Sequence, residues 1–182
     1  IIGSRLPVYL TGTAFDNKEG GIEIHEGLKF EFEHIKNKYD FKKGIQVSII
    51  ELSKNNNKVI LMYPIPAVGW NVPNKLFHNT PKRYIKEIKK NFNKNPITTS
   101  YKVYKERTKE SFEIYNQIQH KNIYRVYPHT VFCNNKIKDR CVTHDDKNIF
   151  YYDDDHLSSA GSAMVIDLIM KQIKKIELEL NQ

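Results

Sequence analysis

No stretch of this 182-residue sequence approaches the roughly eighteen uninterrupted apolar residues that a membrane-spanning helix needs. The nearest, Ala163-Met-Val-Ile-Asp-Leu-Ile-Met170, is short and carries Asp167 in its middle. No internal repeat and no long linker interrupts the chain, so a single domain over 1–182 is expected. Helix-turn-helix, zinc-finger and aromatic RNA-binding signatures are all missing, which removes the specific nucleic-acid classes despite a net charge of +8. Arginine is scarce too, occurring only at positions 5, 83, 107, 125 and 140, so the positive excess is mostly lysine. Its densest run, 81–90, reads as an amphipathic helix with Tyr84, Ile85 and Ile88 inward and a lysine-rich wet face. Nucleic acid is therefore not an expected partner.

Cysteine occurs only at Cys133 and Cys141, around a polar, turn-prone loop. A zinc site can be drawn as His129-x3-Cys133-x7-Cys141-x2-His144, but no C-x2-C knuckle organises it. A disulfide is the expectation, with free thiols and zinc as alternatives. Such a bridge would place the domain in an oxidising compartment.

What is present is an alternation of helical and apolar-strand patterns. Ile1-Ile2 looks like the end of a buried strand running into Gly3-Ser4-Arg5, and a Gly-rich loop follows over 11–21. Partial alternation over 22–34 suggests a peripheral strand or hairpin. Phe41, Ile45, Ile49 and Leu52 stand at helical spacing, and Asn55-Asn56-Asn57 ends that helix. In the run 58–64 everything after Lys58 is apolar, as in a strand covered on both faces, and its exit over 64–73 is a rigid Pro-x-Pro loop. Further helices are expected over 82–91, 99–119 and 159–180, the last capped by Ser158 or Ser159, with a strand over 123–128. This order implies a parallel sheet in an α/β layered fold.

Active sites in such sheets collect on loops at the carboxyl ends of strands. The loop before the last helix holds Tyr151-Tyr-Asp-Asp-Asp-His-Leu-Ser-Ser-Ala-Gly161. Asp153 and His156 are three apart, so one tight turn can bring carboxylate to imidazole, which makes His156 a candidate general base. Asp154 and Asp155 compete for the same role. A solvated acidic helix N-terminus, or a metal cluster of His144, Asp145, Asp146 and 153–155, are the other readings.

Tyr-x-Asp-x-x-His-Leu-Ser-x-x-Gly, shortly after a Cys-x7-Cys loop, resembles the C-terminal block of the SGNH hydrolases. More closely, it is similar to the SGNH domains fused behind acyltransferase 3 membrane domains, enzymes that O-acylate cell-surface polysaccharides. Ile1-Ile-Gly-Ser-Arg-Leu-Pro-Val-Tyr-Leu10, Phe15-Asp-Asn-Lys-Glu-Gly-Gly21 and the 59–73 segment continue the resemblance. Leu6 stands where that family usually has Trp. The resemblance implies a three-layer α/β/α sandwich with Asp153 and His156 as the catalytic pair and no metal or cofactor. It implies a serine acyl-enzyme, formed by a nucleophile in a Gly-Asp-Ser motif. This sequence contains no Gly-Asp-Ser, so the domain is expected to lack its first strand, and the nucleophile to lie upstream. Ser4 is the competing nucleophile. Otherwise Ser4 and Arg5 belong beside the oxyanion, and Asn71 is either an oxyanion or substrate contact or plain loop structure.

The implied activity is extracytoplasmic acyl transfer, acetyl above all, to a glycan hydroxyl. The glycan would be a polysaccharide or lipid-linked acceptor, with the acyl donor delivered by a membrane domain of the same full-length chain at the periplasmic side of the inner membrane. A carbohydrate esterase and an inactive carbohydrate-binding domain are the alternatives.

Overall fold

The computed structural model describes residues 1–23, 37–78 and 95–181. The strand expected over 22–34 lies outside the described residues beyond Glu23, as does the lysine-rich helix expected over 82–91.

Strands β1 (Ile2–Gly3), β2 (Val59–Met62) and β4 (Ile123–Val126) form a parallel sheet in the order β1-β2-β4. The register pairs Ile2 with Leu61 and Leu61 with Arg125. A second, antiparallel pair joins β3 (Thr98–Ser100) to β5 (Arg140–Val142). The helices are α1 (Leu6–Thr11), α2 (Lys38–Ser53), α3 (Val72–His78), α4 (Tyr101–Gln117), α5 (His129–Phe132) and α6 (Ser159–Leu180).

Side chains alternate across a strand, so a central strand needs apolar residues at every position. β2 shows this directly. Val59 and Leu61 join Leu6 and Leu10 of α1, Ile49 of α2 and Ile114 and Tyr115 of α4 in one core. Ile60 packs with Tyr124 and Val126 against Leu168, Ile169, Ile173 and Ile176 of α6 on the other side. The result is the α/β/α layering that the resemblance implied. A separate core sits beyond the carboxyl ends of the strands, where Val68, Val72, Tyr104, Phe132, Phe150, Tyr151 and Val165 meet the disulfide.

Helix limits follow local chemistry. The Asn37 side chain accepts from the N–H groups of Tyr39 and Asp40 and starts α2. Asn55 and Asn56, both at positive φ, turn the chain after it. Ser100 caps α4 and Ser158 caps α6, the latter accepting from the Gly161 N–H at 3.2 Å. Two sequence expectations change. Ile1 is 71% exposed and β1 is only two residues long; among the described residues β1 pairs with β2 alone. Leu52 is 53% exposed, since the inward face of α2 passes from Ile49 and Ile50 to Ser53, which is fully buried.

Candidate active site

Three chain segments converge beyond the carboxyl ends of the parallel strands: 4–5 after β1, 63–72 after β2 and 151–157 before α6. Their meeting is fixed by main chain and buried polar groups. The N–H groups of Val68 and Gly69 donate to the Asp154 carbonyl, and the Val72 N–H donates to that of Asp153. Two tyrosine hydroxyls, buried and pushed far up in pKa by desolvation, hold the Pro-x-Pro turn: Tyr104 donates to the Pro64 carbonyl at 2.8 Å and Tyr151 to that of Pro66 at 2.7 Å. Asn17, fully buried, donates to the Val68 carbonyl and accepts from the Glu19 and Gly21 N–H groups. This locks the Gly-rich loop onto the same turn. Gly21 is required there, because a Cβ would stand 2.4 Å from the Trp70 indole nitrogen.

The loop carrying the acidic run is closed by an isolated bridge between Tyr151 and Leu157 and by the Tyr152 N–H donating to the His156 carbonyl. Inside it, Asp153 Oδ1 accepts from the N–H groups of Asp155 and His156, an Asx-type turn that its own side chain stabilises. Oδ2 is then left facing His156 Nδ1 at 2.8 Å. One short residue thus both makes the turn and holds the imidazole. Partial burial tends to raise the Asp153 carboxyl, but these donors outweigh it and hold the group below the usual aspartate value. His156 moves the other way: its bond to Asp153, then the charge of Asp155, raise it above 6.5 against burial.

The segment after the pair explains the rest of the motif. Ser158 Oγ donates to the Ile149 carbonyl while accepting the Gly161 N–H, and the Ser158 N–H donates to the Phe150 carbonyl. A Cβ at Gly161 would lie 2.1 Å from that carbonyl oxygen, so only glycine lets α6 start so close to the strand-like segment beneath it.

The imidazole opens onto a cavity of about 400 Å3. Its walls include Val8, Phe15, Met62 and Leu157, with Ser4, Arg5, Arg107 and Asp155 among its polar groups. Arg5 reaches Asp155 Oδ2 with NH1 at 2.9 Å and ion-pairs Glu23 with NH2. Glu23 is buried and accepts the Phe15 N–H with its second oxygen. The Ser4 hydroxyl is hydrogen-bonded to the Tyr115 hydroxyl at 3.1 Å. Among the described residues, no serine or threonine hydroxyl is hydrogen-bonded to His156. Asn71 lies outside the cavity lining, where its carboxamide oxygen accepts the Asn74 N–H and starts α3.

Cys133 and Cys141 are joined by a disulfide, with an S–S distance of 2.01 Å, so neither thiol serves zinc. Of the histidines drawn into that scheme, His144 Nε2 accepts the Ile97 N–H at 2.9 Å, and burial lowers its pKa. His129 lies among Tyr101, Tyr104, Phe112 and Tyr127. Ligand atoms of Asp153, Asp155 and His156 do lie within 4.8 Å of one another, spacing suited to a cation. Arg5 already supplies a positive charge to Asp155, and both oxygens of Asp153 are engaged, which disfavours one.

Sequence reasoning named Asp153, His156 and Arg5, which the structure brings together, but not Glu23 or Asn17. Both lie in or just after the Gly-rich loop, and nothing local marks them. Their partners are Arg5 and Val68, and only the folded chain brings these together.

The sequence profile of the family described as SGNH domain (fused to AT3 domains) matches residues 1–171, nearly the whole chain. The chain belongs to that family. No curated protein and no solved structure gives a match. A carboxylate-held histidine at the rim of a cavity is able to move protons, which fits the general esterase- or acyltransferase-like chemistry that an SGNH domain suggests. Among the described residues, no helix is long and apolar enough to cross a membrane.

Proposed function

We propose that this SGNH domain transfers an acyl group, acetyl above all, to a hydroxyl of a cell-surface glycan through a serine acyl-enzyme. The observation that carries the reading is the Asp153–His156 contact at the rim of the cavity. With Nδ1–H held by Asp153, the free ring nitrogen Nε2 is the basic one. It takes the proton of the serine hydroxyl as the oxygen attacks the acyl carbonyl. It then returns that proton to the departing alkoxide of the donor. In the second half, the sugar hydroxyl loses its proton to Nε2 and attacks the acyl-serine, giving the new ester and free serine. Asp153 keeps the tautomer and offsets the charge of the imidazolium throughout.

The nucleophile belongs to this reading as a Gly-Asp-Ser serine N-terminal to Ile1 in the full-length protein. The Ser4 hydroxyl, turned to Tyr115, is not positioned against the imidazole. The acyl group arrives through a membrane acyltransferase domain of the same full-length chain, and the disulfide suits an extracytoplasmic, periplasmic site of action. The side chain of His156 is 66% exposed, so water also reaches the base, which favours a carbohydrate esterase as the second reading.

The test is His156→Ala in the full-length protein, with ester formation on the glycan followed by mass spectrometry. A loss of about 10²–10⁴-fold is expected; an unchanged rate overturns the assignment. Free acyl acid without glycan ester makes the domain an esterase. Glycan binding without either product makes it an inactive binding domain.

A further inference from the structure

His156 Nδ1 does not face one carboxylate but two. Asp153 Oδ2 stands 2.8 Å away and Asp155 Oδ1 3.0 Å away. A neutral imidazole has one proton on that nitrogen, and it is directed at Asp153. Asp155 Oδ1 is buried without a hydrogen-bond donor, although only 5% of its side chain is exposed. Its other oxygen is held by the Arg5 guanidinium, which Glu23 holds in turn. A buried carboxylate oxygen left without a donor is costly unless a charge comes to it. Here the charge that comes and goes is the imidazolium.

We infer that Asp155 is a second positioning residue for His156, coupling the imidazole to Arg5 across the floor of the cavity. Asp153 fixes the ring through a hydrogen bond. Asp155 acts through charge: it gains most when the ring is protonated, and so it makes His156 a stronger base and steadies the ion-paired intermediate. Arg5 sets how strongly Asp155 does this, because the same carboxylate is divided between guanidinium and ring. The charged groups around it are Arg5 and Glu23 from the segments flanking α1, Arg107 from α4, and Asp153, Asp154 and His156 of its own loop. Burial, aided by Glu23 and Asp154, pushes the Asp155 carboxyl up to about 6 against the pull of Arg5 and His156. It therefore titrates in the range of the ring it faces, as a coupled pair. The catalytic consequence rests on His156 being the base; the coupling itself does not.

Ring-proton NMR titration of the histidines tests it, with His156 assigned by the signal absent from His156→Ala. Asp155→Asn, nearly isosteric, should lower the His156 midpoint by about one pH unit, as should Asp153→Asn. Arg5→Gln should raise it, by removing the guanidinium's own repulsion of the ring and by freeing the charge of Asp155. A midpoint unmoved by Asp155→Asn while Asp153→Asn shifts it overturns the inference. Where Asp155→Asn fails to fold, the double variant Arg5→Gln/Asp155→Asn, which removes the ion pair as a unit, is compared with Arg5→Gln: a midpoint no lower in the double variant overturns the inference. The midpoint is read without turnover, so a failure of the acyl-transfer reading would show in the activity of His156→Ala and leave this result standing.

Discussion

At Asp153 one side chain performs two tasks with two oxygens, turning the chain with Oδ1 and holding the imidazole with Oδ2. Asparagine at 153 can keep the turn, since its carbonyl oxygen accepts the same N–H groups, but it withdraws the charge. Asp153→Asn should therefore fold normally yet lower the acyl-transfer rate by about 10²-fold or more, read as kcat on the full-length protein. The sign of the pH dependence follows from the raised His156 value. A base must be unprotonated, so activity should rise with pH through a midpoint above 6.5 and fall away below it. For stability the same raised value acts oppositely: the pairing contributes fully below the unfolded-state pKa and is lost as pH rises through the folded one. Asp155, raised by burial, likewise favours the fold most when protonated, and that contribution fades as pH rises through about 6. Asp153, held low, does the reverse, contributing above its unfolded value and losing that contribution as acid protonates it. A pH–rate profile together with a pH series of urea melts checks both signs.

The elements differ in how much of them local sequence dictates. The Asp-x-x-His turn was legible because its partners are three residues apart. β2 was legible because a strand covered twice cannot alternate. The Arg5–Glu23–Asp155 chain was not, because its three members belong to separate segments whose approach depends on the sheet. Leu52 shows the converse limit: helical spacing allows the third or the fourth residue on as the next inward position, and here the fully buried Ser53 takes it. Helix starts give sharp predictions. Gly161→Ala should cost about 2–3 kcal/mol in urea unfolding, since the Phe150 carbonyl occupies the space a methyl needs. Gly44, exposed within α2 and with nothing near its Cβ position, is the control: Gly44→Ala should stabilise by about 0.5–1 kcal/mol.

On the scale of the whole molecule, the sheet supplies a platform and a second core beyond its carboxyl ends supplies the site. The disulfide belongs to that second core, lying between α5 and β5 with Phe132, Val142 and Phe150. Opening it frees a loop of eight residues' separation, which should cost about 2–3 kcal/mol. For a chain of this size that is a fall in Tm of roughly 4–12 °C on reduction, measurable by calorimetry with and without reductant. An unchanged Tm would mean that packing alone holds the second core.

The docking of 68–72 on 153–154 is made by amides and carbonyls, not by side chains. Its instructions are therefore written in a part of the polymer that every amino acid shares. At position 154 the chain can change its letter without changing its anchor: the carbonyl that receives Val68 and Gly69 is there whatever residue bears it. Asp154→Ala should leave the site in place and its two amide protons slow to exchange. The Asp-x-x-His turn thus has a neighbour free to drift, and a family built this way can retune the charge beside its histidine without loosening the histidine itself.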